Sequence, residues 1–163
     1  MSALIPACIL ADAPQFVTPG QRAPVLDLFD AAPPILKVLT VKDGDPPVLL
    51  NVPVRSEDAG EQLFAVPWVD YGTPQQRLIT VFRIGASTYD DSTRAVGYSW
   101  SADGLGSGCH RLSLLVAHES SFDSNLQVIS SRKSDVAIAT WLVAANEQPG
   151  MPINFDDCPE PAL

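Results

Sequence analysis

The sequence predicts an all-β domain folded as a two-sheet antiparallel sandwich, and three observations lead there. Apolar residues recur at every second position in several short segments, the period of a half-buried strand. No segment carries a 3.6-residue apolar stripe. Fifteen prolines in 163 residues, about 9% where roughly 5% is usual, interrupt the chain too often for long helices. The length suits one domain. Ten Lys and Arg against 19 Asp and Glu give a net charge of -9, which repels a phosphate backbone and argues against nucleic acid as a partner.

Taken in order, residues 1–34 read as a Pro-rich, irregular lead-in with one short strand at Pro24–Phe29. The aliphatic run Ile35–Val41 is closed by the turn cluster Lys42-Asp43-Gly44-Asp45-Pro46-Pro47. In Val48–Arg55, the residues Val48, Leu50, Val52 and Val54 share one face. Pro53 has no N–H, so its side of that strand must meet an edge, a bulge or a gap. The polar turn at 56–60 leads into Leu63–Tyr71, where Phe64, Val66 and Trp68 alternate, and a hairpin is the simplest pairing of these two strands. Arg77–Ile84 alternates Leu78, Thr80, Phe82 and Ile84. Arg94–Ser101 places Val96, Tyr98 and Trp100 together, Cys109–His118 does the same for Leu112, Leu114 and Val116, and Asp135–Ala145 is the last strand. Six or seven strands at roughly 10 to 20 residue spacing favour a sandwich over residues 35–145, with 146–163 as a C-terminal tail.

The segment Val48-Leu-Leu-Asn-Val-Pro-Val-Arg-Ser-Glu-Asp58-Ala-Gly60, followed by Phe64-Ala-Val-Pro-Trp68-Val-Asp70-Tyr71-Gly72, resembles bacterial immunoglobulin-like domains of the fibronectin type III and polycystic-kidney-disease types. Gly108-Cys-His-Arg-Leu112-Ser-Leu114-Leu-Val116-Ala-His118 resembles a later strand of such domains. The resemblance covers most of the chain, and it implies that Trp68 is the core aromatic packed across the sandwich. Two departures stand out: the Val48 strand has no cysteine for a cross-sheet bridge, and Cys158 lies beyond the repeat.

Ile5-Pro6-Ala7-Cys8 resembles the lipobox of bacterial lipoproteins, an aliphatic residue, two small ones and the cysteine that receives diacylglycerol, with Pro6 where Ala or Ser is usual. The resemblance implies lipid attachment at Cys8, provided the reading frame starts upstream of Met1, with Ile9–Gly20 as a membrane tether. Assigning Cys8 to a lipid leaves Cys109 and Cys158 as a pair, and their bridge would pin the tail. The competing reading is a cytoplasmic protein with three free thiols.

Candidate chemistry is sparse. His110 and His118 stand about 27 Å apart on a straight strand at roughly 3.4 Å per residue, too far to share a metal, and both read as strand-end residues near solvent. Ser113 and Ser120 are available hydroxyls without a nucleophile elbow. Gly104, Gly106 and Gly108 precede a strand, whereas a phosphate loop opens a helix. Asp43 with Asp45, Asp90 with Asp91, and Asp156 with Asp157 lack the spacing of a calcium loop and read as solvated turns. A sugar-stacking platform would rest on Tyr89 or Trp141. The expectation is therefore a non-enzymatic, acidic, secreted or envelope-anchored protein-binding domain with no catalytic residue, cofactor or metal. It would act in adhesion, assembly or self-association through its edges; a carbohydrate-binding module is the alternative.

Overall fold

The computed structural model describes residues 21–58, 60–87, 93–148 and 153–160. It is an all-β structure of two sheets packed face to face. The strands are β1 (Val25–Leu26), β2 (Leu39–Val41), β3 (Val48–Arg55), β4 (Leu63–Val69), β5 (Arg77–Leu78), β6 (Phe82–Ile84), β7 (Thr93–Trp100), β8 (Gly108–Ala117) and β9 (Ala137–Ala145). One sheet has the order β1-β3-β7. The other runs β2-β9-β8-β4-β5, with β6 also on β4. All pairings are antiparallel except that of β2 with β9.

The alternating residues seal the space between the sheets. Leu50, Val52 and Val54 of β3 and Val96, Tyr98 and Trp100 of β7 face Leu63, Ala65 and Val69 of β4, Leu112, Leu114 and Val116 of β8, and Ala139, Trp141 and Val143 of β9. Burying side chains of this size removes apolar area from water at roughly 25 cal/mol per Å² and is the main force holding the sheets together.

The expected hairpin between Val48–Arg55 and Leu63–Tyr71 does not form. β3 pairs with β1 and β7, β4 pairs with β5, β6 and β8, and the chain crosses from one sheet to the other between them. Burial explains the crossing, because every residue of β4 is buried and the strand needs cover on both faces. Arg94 holds the crossing turn to β7: its guanidinium donates to the carbonyls of Glu61 at 2.8 Å, Gly85 at 3.0 Å and Asp58 at 3.4 Å.

The predicted strand Arg77–Ile84 is split in two, and Pro67 accounts for the break. A strand residue turns its N–H and C=O to the same side, and the Pro67 carbonyl accepts from Ile79 N at 3.0 Å. The side of β4 facing this segment therefore lacks a donor at Pro67, and the ladder lapses between β5 and β6. Pro53 behaves as its chemistry requires, turning its carbonyl toward Asp27 N, 2.9 Å away on the short β1 flank.

A second core lies on the outer face of the larger sheet. Phe64, Val66, Trp68 and Tyr71 pack with Leu115, Ala117 and Phe122, and Leu126, Val128 and Val136 close over them. The segment between β8 and β9 supplies this cover through short 3-10 turns at Glu119–Ser121 and Ser130–Asp135 and a bridge between Phe122 and Val128.

Candidate functional site

The two histidines sit at opposite ends of β8, each against an aspartate from a distant part of the chain. His110 Nδ1 lies 2.7 Å from Asp70 Oδ2, and its Nε2 lies 3.1 Å from the Gly106 carbonyl. A carboxylate and a carbonyl only accept, so both bonds are made together only when both ring nitrogens carry hydrogen. The hydrogen bond to Asp70 is the main force raising the His110 pKa, against the opposing effect of partial burial. In that form the ring has no lone pair to act as a base or to bind a metal.

Asp70 is a structural knot. It ends β4 in the left-handed region at φ 52°, a conformation that Asp tolerates better than most residues. Its Oδ1 accepts from Arg111 N at 2.9 Å, its own N donates to the Arg111 carbonyl at 2.8 Å, and its carbonyl accepts from Thr73 Oγ1 at 2.8 Å. The pair has a pH signature whose sign is fixed. A folded-state pKa raised above the ordinary 6.5 means that its contribution is complete below that value and is withdrawn as pH rises through the folded pKa. In His110→Gln, urea titrations across this range should lose that slope, and below pH 6.5 the variant should be about 1–3 kcal/mol less stable than wild type. A slope that survives the substitution assigns it to another group.

His118 is buried, at 2% exposure, which corrects its reading as a residue near solvent. Its Nε2 lies 3.0 Å from Asp58 Oδ2, and Asp58 Oδ2 also accepts from Arg22 N at 3.0 Å. Among the described residues the His118 Nδ1 has no hydrogen-bond partner. Glu61, Gln62, Glu119 and Ser120 line a shallow depression of about 540 Å³ beside it. The Ser120 hydroxyl donates to Gln21 Oε1 at 2.7 Å, and Ser113 is 3.2 Å from the Thr140 hydroxyl. Among the described residues, then, neither candidate serine engages a histidine. No group of three or more His, Cys, Asp or Glu side chains among them is placed to hold a metal ion.

The acidic turn at Asp43 and Asp45 is engaged with backbone. Asp43 Oδ1 accepts from Gly104 N at 3.3 Å while Asp103 Oδ1 accepts from Gly44 N at 3.1 Å, so two loops cap each other reciprocally. Asp45 Oδ2 accepts from Lys42 N at 2.7 Å, and Asn146 Oδ1 from Asp43 N at 2.8 Å. The bonds from Ser101 and Gly44 hold the Asp103 carboxyl below the usual carboxylate range. Asp90 and Asp91 lie outside the described residues.

Trp68 is buried, at 5% exposure, in the outer core rather than between the sheets. This differs from the placement that the resemblance implied, because the β8–β9 segment gives the outer face of β4 its own apolar cover. Trp141 is fully buried between the sheets and cannot serve as a sugar platform. Tyr89, the other platform candidate, and Cys8 with its lipobox lie outside the described residues.

A disulfide joins Cys109 on β8 to Cys158 in the tail, with Cα atoms 4.9 Å apart. Such bonds persist in oxidising compartments. No helix among the described residues is long and apolar enough to cross a membrane.

The surface feature that sequence reading passed over is the segment leading from β1 toward β2. It carries Val25 at 64%, Leu28 at 42%, Phe29 at 100% and Leu36 at 99% exposure. The segment is nevertheless fixed: Ala32 exchanges backbone hydrogen bonds with Asn51 at 2.9 and 2.7 Å, and the Pro33 carbonyl accepts from Trp141 Nε1 at 2.9 Å. Its apolar side chains were visible in the sequence, but nothing there showed that they face water. No family model matches the chain, and no curated protein is similar to it in sequence.

Proposed function

We propose that this chain is a non-enzymatic, immunoglobulin-like domain of the cell envelope or extracellular space, acting in adhesion or protein–protein assembly, with Cys8 as the lipid-bearing end of a tether. The strand order supports the fold assignment. Equating β1, β3 and β7 with strands A, B and E, and β4, β8 and β9 with C, F and G, matches the sheet membership of six of that fold's seven strands, with no counterpart of strand D among the described residues. The Cys109–Cys158 bridge supports an oxidising compartment over the reading with three free thiols.

The observation that carries the binding role is the fixed segment presenting Phe29 and Leu36 almost fully to water. Large apolar side chains held outward on ordered backbone are what the buried centre of a protein interface requires. Phe29→Ser with Leu36→Ser is the direct test. Exposed positions of this kind change stability by about 0.5 kcal/mol or less, so the double variant should unfold with wild type. Its binding to intact cells of the producing bacterium, measured with labelled protein, should fall about tenfold or more, since anchors of this type are each worth over 1 kcal/mol. Equal binding by the two proteins overturns the assignment of this surface.

A further inference from the structure

We propose that the outer edge of β7 is a self-pairing site, at which a second copy of this chain adds its own β7 antiparallel and joins two three-stranded sheets into one. The inference rests on the assembly role proposed above and names one partner for it.

Among the described residues β7 pairs with β3 alone. On β3, Asn51 exchanges hydrogen bonds with Ala32, and the Pro53 carbonyl accepts from Asp27 N, so the odd-numbered residues turn their backbone groups away from β7. Leu50, Val52 and Val54 therefore bond to the residues opposite them, Tyr98, Val96 and Arg94. It follows that Ala95, Gly97 and Ser99 turn their N–H and C=O groups to the open side, where none of these groups has a hydrogen-bond partner among the described residues. Edge strands are commonly blunted by Lys, Pro or a bulge. Residues 95–99 contain none of these.

The open row matches itself. It is centred on Gly97, so two antiparallel strands with Gly97 facing Gly97 of the second copy set Ala95 against Ser99 and Ser99 against Ala95. Every open donor of one copy then meets an open acceptor of the other, in hydrogen-bonded pairs. The side chains at these positions are exposed and small, and the axis passes through a residue that has none. Charge favours the same occupant. In a chain of net charge -9 most faces repel their own copy, but this window carries no charge, and exposed Leu49 stands beside it opposite Ser99.

A contact of this size lies at the weak end of interfaces, so the dimer should dissociate on dilution. Sedimentation velocity over a concentration series should show wild type passing from monomer to dimer. Ala95→Lys with Ser99→Lys sets lysine against lysine twice and should weaken the dimer about tenfold or more. Ala95→Lys with Ser99→Glu sets opposite charges together and should keep it. Gly97→Pro removes the central donors without touching the ladder to β3 and should also abolish pairing, which covers the case of a lysine variant that does not fold. A wild type monomeric at every concentration overturns the proposal, as does a dimer indifferent to the lysine pair or to proline. Loss of pairing in the Lys/Glu variant overturns the register. A monomer whose Phe29 and Leu36 variant still loses cell binding sinks self-pairing alone and leaves the assembly role standing.

Discussion

Trp141→Ala lowers the free energy of unfolding by about 3–5 kcal/mol, the range for removing a buried aromatic side chain, read as a lower urea midpoint at unchanged slope. Trp141 is fully buried in the middle of β9, opposite Leu112 on β8 and within the cluster formed by both sheets. Its indole also donates to the Pro33 carbonyl at 2.9 Å, so the truncation opens a cavity and removes a polar anchor of the segment that bears Phe29 and Leu36. Against a typical domain stability of about 5–15 kcal/mol, such a loss unfolds much of the protein on mild heating. Trp141→Phe separates the two contributions. It keeps most of the ring volume and gives up a part-buried hydrogen bond, and should cost about 0.5–1.5 kcal/mol, the net worth of such a bond. A Trp141→Ala midpoint within experimental error of wild type would mean that the residue is not between the sheets.

Both faces of β9 are partly apolar, and this is why its aromatic residue was ambiguous in the sequence. Ala139, Trp141 and Val143 alternate with Ile138, Thr140 and Leu142, so a period of two fixes which residues go together without fixing which set turns inward. The same limit applied to Trp68. Its strand is buried throughout, and only the later segment carrying Phe122, Leu126 and Val128 shows that Phe64, Val66 and Trp68 face a second core. Where one face is mainly polar the period decides, and β3 and β7 were legible: Leu50 with Val52 and Val96 with Tyr98 lie between the sheets. Leu112 and Leu114 of β8 lie there too, although Leu115 and Ala117 make its other face apolar as well. Side-chain partners at long range left no comparable trace. His118 meets Asp58 across 60 positions and His110 meets Asp70 across 40, separations set by the path of the chain between sheets rather than by any local pattern. The sheet crossing after β3 belongs to the same class, since a turn of that composition serves a hairpin equally well.

Replacing Cys109 and Cys158 together with serine should cost about 2–4 kcal/mol in urea titrations, and reduction of the wild type should reproduce the loss. A separation of 49 residues gives about 4 kcal/mol when only the unfolded chain gains freedom on cleavage. The native chain gains freedom as well. Within 153–160 the hydrogen bonds run from Asp156 N to Asn154 Oδ1 and from Cys158 N to the Phe155 carbonyl, both local. Among the described residues the disulfide is thus the one covalent or hydrogen-bonded tie from the tail to the sandwich, with burial of Cys158 its companion. Cutting it lets the native tail move, which offsets part of the entropy returned to the unfolded chain and places the expected loss below the loop-closure value. Hydrogen exchange distinguishes the two limits. If the tail detaches, amides in 153–160 exchange freely on reduction while those of β8 and β9 stay protected, and the loss sits near 2 kcal/mol; if Cys158 stays packed, protection there persists and the loss approaches 4 kcal/mol. A reduced protein as stable as the oxidised one would mean that the bridge constrains neither state.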